Sequence, residues 1–166
     1  MMKRSNIQPL ALLLALMFVL LPGCAETGTA EISEDVYAAA GDGQIVDIRD
    51  RYTADGELHG SDAGAPVQTL LLDNAEDNER VSSEALFEIS EDANTRLGIT
   101  ASWRRSGETL YVGVASAEGT IYALGLTSGA AHGTIDLSGL PAGAYAVTMF
   151  SSNDADVFAS LSYQIA

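Results

Sequence analysis

From Pro66 onward the chain runs in short stretches that alternate apolar with polar residues. Each is stopped by a pair such as Ser106-Gly107, Glu118-Gly119, Ser128-Gly129, Ser138-Gly139 or Asn153-Asp154. A period of two is the signature of strands with one buried face, and residues of these types close tight reversals. The pattern predicts strands at 67–72, 85–89, 97–103, 109–115, 120–126, 133–137, 144–150 and 157–165. Within them Leu97, Ile99, Ala101 and Trp103 share a face, as do Leu110, Val112 and Val114, while Tyr111 and Gly113 point the other way. Runs of this length at roughly ten-residue spacing, without helical periodicity, define an all-β chain. The expected architecture is an antiparallel β-sandwich of about seven or eight strands, with Trp103 in its core.

Acid is spread unevenly, and that predicts a boundary. Ten carboxylates lie in 25–65, eight in 66–96 and five in 97–166. The first of these stretches is also rich in Gly, Ala and Ser, a composition that offers little burial to offset ordering entropy. It reads as a flexible acidic tether, residues 24–65, with linker as far as about Gly43 and one alternating piece, Gln44 to Arg49, able to add an edge strand. The sandwich domain is then 66–166. Beyond Arg4 the basic side chains are Arg49, Arg51, Arg80, Arg96, Arg104 and Arg105, against 23 acids in a chain of net charge −15. Such a field repels phosphate backbones, which argues against nucleic acid as a partner.

The N-terminus carries an address. Lys3 and Arg4 precede the apolar run from Leu10 to Leu21, too short to span a bilayer as a helix and matching the apolar core of a signal peptide. Leu21-Pro22-Gly23-Cys24 follows and resembles the bacterial lipobox, with an aliphatic residue at −3 and a small one at −1 before the acylated cysteine. The resemblance implies cleavage after Gly23, a lipid on Cys24 and display on the extracytoplasmic side of the cell membrane. Cys24 is the only cysteine of the chain, so no disulfide competes for it. The membrane is then a partner through the lipid alone.

A second resemblance lies further on. Leu137-Ser-Gly-Leu-Pro-Ala-Gly-Ala-Tyr-Ala-Val-Thr-Met149 is similar to the turn and penultimate strand of bacterial pre-peptidase C-terminal domains. Trp103 to Val114 is similar to the hairpin that precedes it there. The likeness covers roughly residues 80–166 and implies a small jelly-roll or immunoglobulin-like sandwich, a non-catalytic accessory module on exported proteins. The acidic Asp-Leu-Asp segment of such domains is replaced here by Glu108-Thr-Leu-Tyr111.

Chemically the sequence offers little that converges. His59 and His132 stand apart from each other and from Cys24, His132 in an expected turn at 131–133, so neither has a zinc-ligand neighbour. No Gly-x-Ser-x-Gly elbow occurs. No catalytic residue is assigned, and the chain is expected not to be an enzyme. Two oxygen-rich segments are calcium candidates: Asp73, Glu76 and Asp77 in one, Asn153, Asp154 and Asp156 in the other. Tyr111, Tyr122 and Tyr163 are candidate sugar-stacking rings, provided they form one exposed row. The expectation is a lipid-anchored binding module for an envelope protein or a polysaccharide, carbohydrate binding being the alternative.

Overall fold

The computed structural model describes residues 28–32, 36, 43–56, 65–73, 80–104, 109–151 and 158–166. These form twelve strands and one 3-10 turn. The strands are β1 Thr29–Ala30, β2 Ile45–Asp47, β3 Tyr52–Ala54, β4 Gln68–Leu72, β5 Val81–Ser82, β6 Phe87–Ile89, β7 Arg96–Trp103, β8 Leu110–Ser116, β9 Ile121–Leu126, β10 Ala130–Asp136, β11 Gly143–Ser151 and β12 Ala159–Ile165. The turn, Arg49–Arg51, sits between β2 and β3. The all-β sandwich is as expected, with twelve strands in place of seven or eight. The additional ones are two or three residues long; β2 falls inside the alternating piece Gln44 to Arg49, while β1, β3 and β5 are too short for alternation to register.

Two sheets pack face to face. The first has the order β1-β9-β8-β11-β5, with β2 also on β9 and β6 also on β11; the second has the order β3-β10-β7-β12-β4. All pairings are antiparallel except β2 with β9. β8 and β9 form a true hairpin, Leu110 opposite Leu126, closed over a turn whose Gly119 adopts φ 93°. The expected hairpin between β7 and β8 is not one. β7 pairs with β10 and β12, β8 with β9 and β11, so the chain crosses between sheets after Trp103. Residues 105–108 of that crossing lie outside the described set. The two strand faces still meet, but across the core. Leu97, Ile99, Ala101 and Trp103 on one side and Leu110, Val112 and Val114 on the other belong to a single buried cluster.

The turn before β11 shows why Pro-Ala-Gly-x-Tyr is a useful sequence. Gly143 takes φ 154°, a conformation that side chains disfavour, and this turns the chain into the strand. Tyr145, 1% exposed, then points into the core and its hydroxyl donates a 2.7 Å hydrogen bond back to the Pro141 carbonyl. Burial, with Tyr122 and Glu118 nearby, pushes the Tyr145 phenol above its ordinary pKa.

The expected tether is part of the sandwich over its described residues. β1 pairs with β9 at the edge of the first sheet, with Thr29 opposite Leu126. Ile32 and Val36 lie over the outer face of that sheet, and Ile45 is on that face within β2. There they form a second buried cluster with Tyr111, Ile121, Ala123 and Phe150. Each such side chain contributes roughly 1.5–3 kcal/mol when fully buried. Concentrated at one place, three aliphatics therefore help to hold a segment whose average composition is polar. β3 likewise joins the second sheet at Tyr52 to Ala54, opposite Ile135 to Gly133. The domain boundary at residue 66 moves accordingly toward the N-terminus.

Candidate functional site

The two outer faces of the sandwich differ. That of the first sheet is covered at Tyr111, Ile121 and Phe150 by Ile32 and Val36, whereas the central strands of the second sheet present theirs to solvent. On β7 the burial alternates strictly: Thr100 and Ser102 are exposed while Ile99, Ala101 and Trp103 are buried. β12 follows suit with Ser160, Ser162 and Gln164 on the outer side, and β10 adds His132. Strand register sets His132, Thr100, Ser162 and Thr69 in one row across β10, β7, β12 and β4. Within the row Thr100 Oγ1 lies 2.9 Å from His132 Nδ1, and Ser162 Oγ lies 3.5 Å from Thr69 Oγ1. The Tyr52 hydroxyl donates a 3.1 Å hydrogen bond to the His132 carbonyl and holds that strand in place.

Two concavities open on this face. The smaller, about 260 Å³, has Gly98 at its centre, where the strand carries no side chain, and Thr100, His132, Ser162, Gln164 and Val67 around it. The larger, about 570 Å³, lies toward one end and is lined by Leu71, Asp73, Ser102, Arg104, Phe158 and Ser160. The Arg104 guanidinium sits 6.0 Å from the centre of the Phe158 ring, a cation–π contact at a half-open rim. Together they make a face of hydroxyls, one imidazole and one amide, with Asp73 and Arg104 at one end, edged by Leu71 and Phe158. This chemistry suits a ligand rich in donors and acceptors, with one apolar corner.

The candidate rings fall elsewhere. Tyr111 is 3% exposed and stacks on Phe150 at 5.2 Å under the roof of the first sheet. Tyr122, half-buried, points to the inner side of that sheet, 6.2 Å from Tyr145. Tyr163 faces the core from the second sheet, 3% exposed, its hydroxyl 2.8 Å from Gln68 Oε1. They lie on three different surfaces and form no row, which removes them as a stacking platform. His132 is in strand β10 and not in a turn.

Among the oxygen-rich candidates Asp73 is described and exposed, at the end of β4. Glu76, Asp77, Asn153, Asp154 and Asp156 lie outside the described residues, as do Cys24 and His59. The strand ends that lead into the two segments are neighbours, since Leu72 stands opposite Ala159. Among the described residues no three His, Cys, Asp or Glu side chains gather into a metal-holding group, and no helix is long and apolar enough to cross a membrane. No protein-family model matches the chain, and no curated protein or solved structure is significantly similar to it.

Proposed function

We propose that the protein is a lipid-anchored, extracytoplasmic β-sandwich that binds and does not catalyse, presenting the open face of its second sheet to an envelope protein or polysaccharide. The observation that carries this reading is the asymmetry of the two outer faces. Ile32 and Val36 cover the outer side of the first sheet, while the hydroxyl-lined face of the second is bare among the described residues. The lipobox-like Leu21-Pro22-Gly23-Cys24 supports the anchor, and the similarity to pre-peptidase C-terminal domains supports an accessory role. The groups on the face are suited to hydrogen bonding and not to proton transfer in concert. His132 has its Nδ1 engaged by Thr100, and no described carboxylate stands beside it in the row.

Two measurements test the reading separately. Cys24→Ser is expected to leave an unprocessed chain that no longer labels with a palmitate analogue; a variant that matures like the wild type overturns the anchor. Thr100→Arg places a long charged side chain at the centre of the face without touching the core. It is expected to lower retention on isolated envelope fragments at least tenfold while thermal stability is kept. Equal retention moves the binding surface away from this sheet.

A further inference from the structure

The sheet edges of this sandwich are unequally protected. β1 and β5 are two residues long, and β3 is three, flanked by Arg51 and Asp55. Short and charged edges resist pairing with another chain. β4 is different. It runs five residues at the outer edge of the second sheet, and no charged side chain occurs from Pro66 to Leu72. Two of the most exposed large apolar side chains of the described structure stand here, Val67 at 67% and Leu71 at 65%. Phe158, 44% exposed, borders the same concavity as Leu71.

We propose that β4 is a homotypic contact, in which two copies of this chain pair their β4 strands antiparallel about a two-fold axis at Thr69 and join their second sheets into one continuous sheet. The register follows from side-chain parity. Leu70 and Leu72 point inward, so Val67, Thr69 and Leu71 point outward, and residues opposed in an antiparallel pair must share a face. The axis therefore passes through a residue and not between two. At Thr69 it sets Val67 opposite Leu71 of the partner subunit, and the reverse, covering the four most exposed apolar groups in two cross-strand pairs. At Leu70 it would oppose Val67 to an aspartate and Leu71 to a threonine.

Charge bears on the same strip. Each copy carries a net charge of −15, so two copies approach at least cost along a strand without charged side chains. The carboxylate beside β4 is Glu84, which shares a concavity with Gln68 to Leu71. With the axis at Thr69, Asp73 falls opposite Ala65 of the partner subunit, and no like charges are opposed. Pro66 lacks an N–H and ends the ladder on its side, which confines the contact to about one strand per copy. An interface this small is below the range of stable soluble dimers, so the contact is transient and is read by covalent trapping, which accumulates short-lived pairs. The axis runs normal to the sheet, so both open faces look the same way. The contact does not depend on the identity of any ligand of that face.

Disulfide trapping tests it, because directly opposed Cα atoms in an antiparallel pair lie about 4.5–5.5 Å apart, inside the range a disulfide bridges. In the full chain carrying Cys24→Ser, Thr69→Cys is expected to give a disulfide-linked dimer under mild oxidation. The yield should be at least tenfold above that of Thr53→Cys, equally exposed on the opposite edge of the same sheet. Adding Leu71→Glu, a change at an exposed position, is expected to cut the yield at least tenfold while the melting temperature stays put. Equal yields from Thr69→Cys and Thr53→Cys overturn the contact, and so does a yield indifferent to Leu71→Glu.

Discussion

Tyr145 and Trp103 show how far single residues can be understood from sequence. Trp103 lies on the face that alternation assigns to the core, Tyr145 lies on a strand buried on both faces, and both are buried, Trp103 at 6% exposure. Trp103→Ala should cost about 3–5 kcal/mol in a chemical denaturation experiment, as expected for removing a large ring from a packed core. Tyr145→Phe keeps the ring but deletes the bond to Pro141, and should cost about 0.5–1.5 kcal/mol. Ser102→Ala, on the exposed side of the same strand as Trp103, should stay within about 0.5 kcal/mol. A Trp103→Ala protein that melts like Ser102→Ala would mean that the ring is not a core element. Tyr111 marks the limit of this kind of reasoning. Alternation places it opposite Leu110, Val112 and Val114, which is correct. Parity says which face a side chain is on and nothing about what covers that face, so an outward ring reads as exposed when it is in fact roofed.

Among the elements, long strands were legible and short ones were not. β7, β8, β9, β11 and β12 lie within a few residues of where alternation sets them, and β2 falls inside the edge piece at 44–49. β1, β3 and β5 have too few residues to repeat a period. Connectivity is the larger gap. Ser106-Gly107 and Glu118-Gly119 are the same kind of pair, yet one joins strands of different sheets and the other closes a hairpin. Only long-range pairing distinguishes them, and no local signal carries it. The roof over the first sheet is the clearest case of composition misleading. Ile32, Val36 and Ile45 are few, but they meet Tyr111, Ile121 and Phe150 at one place. Ile32→Ala should therefore cost about 2–4 kcal/mol. Deleting residues 25–36 should expose enough apolar surface to bind a hydrophobic dye in the native baseline. A free spacer would tolerate both with no loss of stability.

The whole molecule is governed by an excess of acid, 23 carboxylates against 8 basic side chains. Self-repulsion of this kind is screened as the Debye length falls from about 30 Å at 0.01 M to about 3 Å at 1 M salt. Added sodium chloride at neutral pH should therefore raise the melting temperature by a few degrees. A fall would show that specific surface pairs, such as Arg49 with Glu31 at 3.5 Å, outweigh the general repulsion. On the acid side, bonds from Ser138 hold the Asp136 carboxyl below its usual range. A group lowered in this way stabilises the fold above that range, and its contribution goes only as pH drops through the lowered value.

The pairing of Thr29 with Leu126 also sets a length. A flexible spacer ending near residue 65 would let a lipid-anchored domain wander on the order of 100 Å from the bilayer, since an extended chain covers about 3.3–3.6 Å per residue. Gly28 is already held against Thr127 and Ser128, so if Cys24 carries the proposed lipid, the four residues that separate them span at most roughly 14 Å. On the proposed anchoring, such a domain would not sample the depth of a cell wall. Its territory would be a thin layer against the membrane, and whatever it meets would have to come to that layer or already be there.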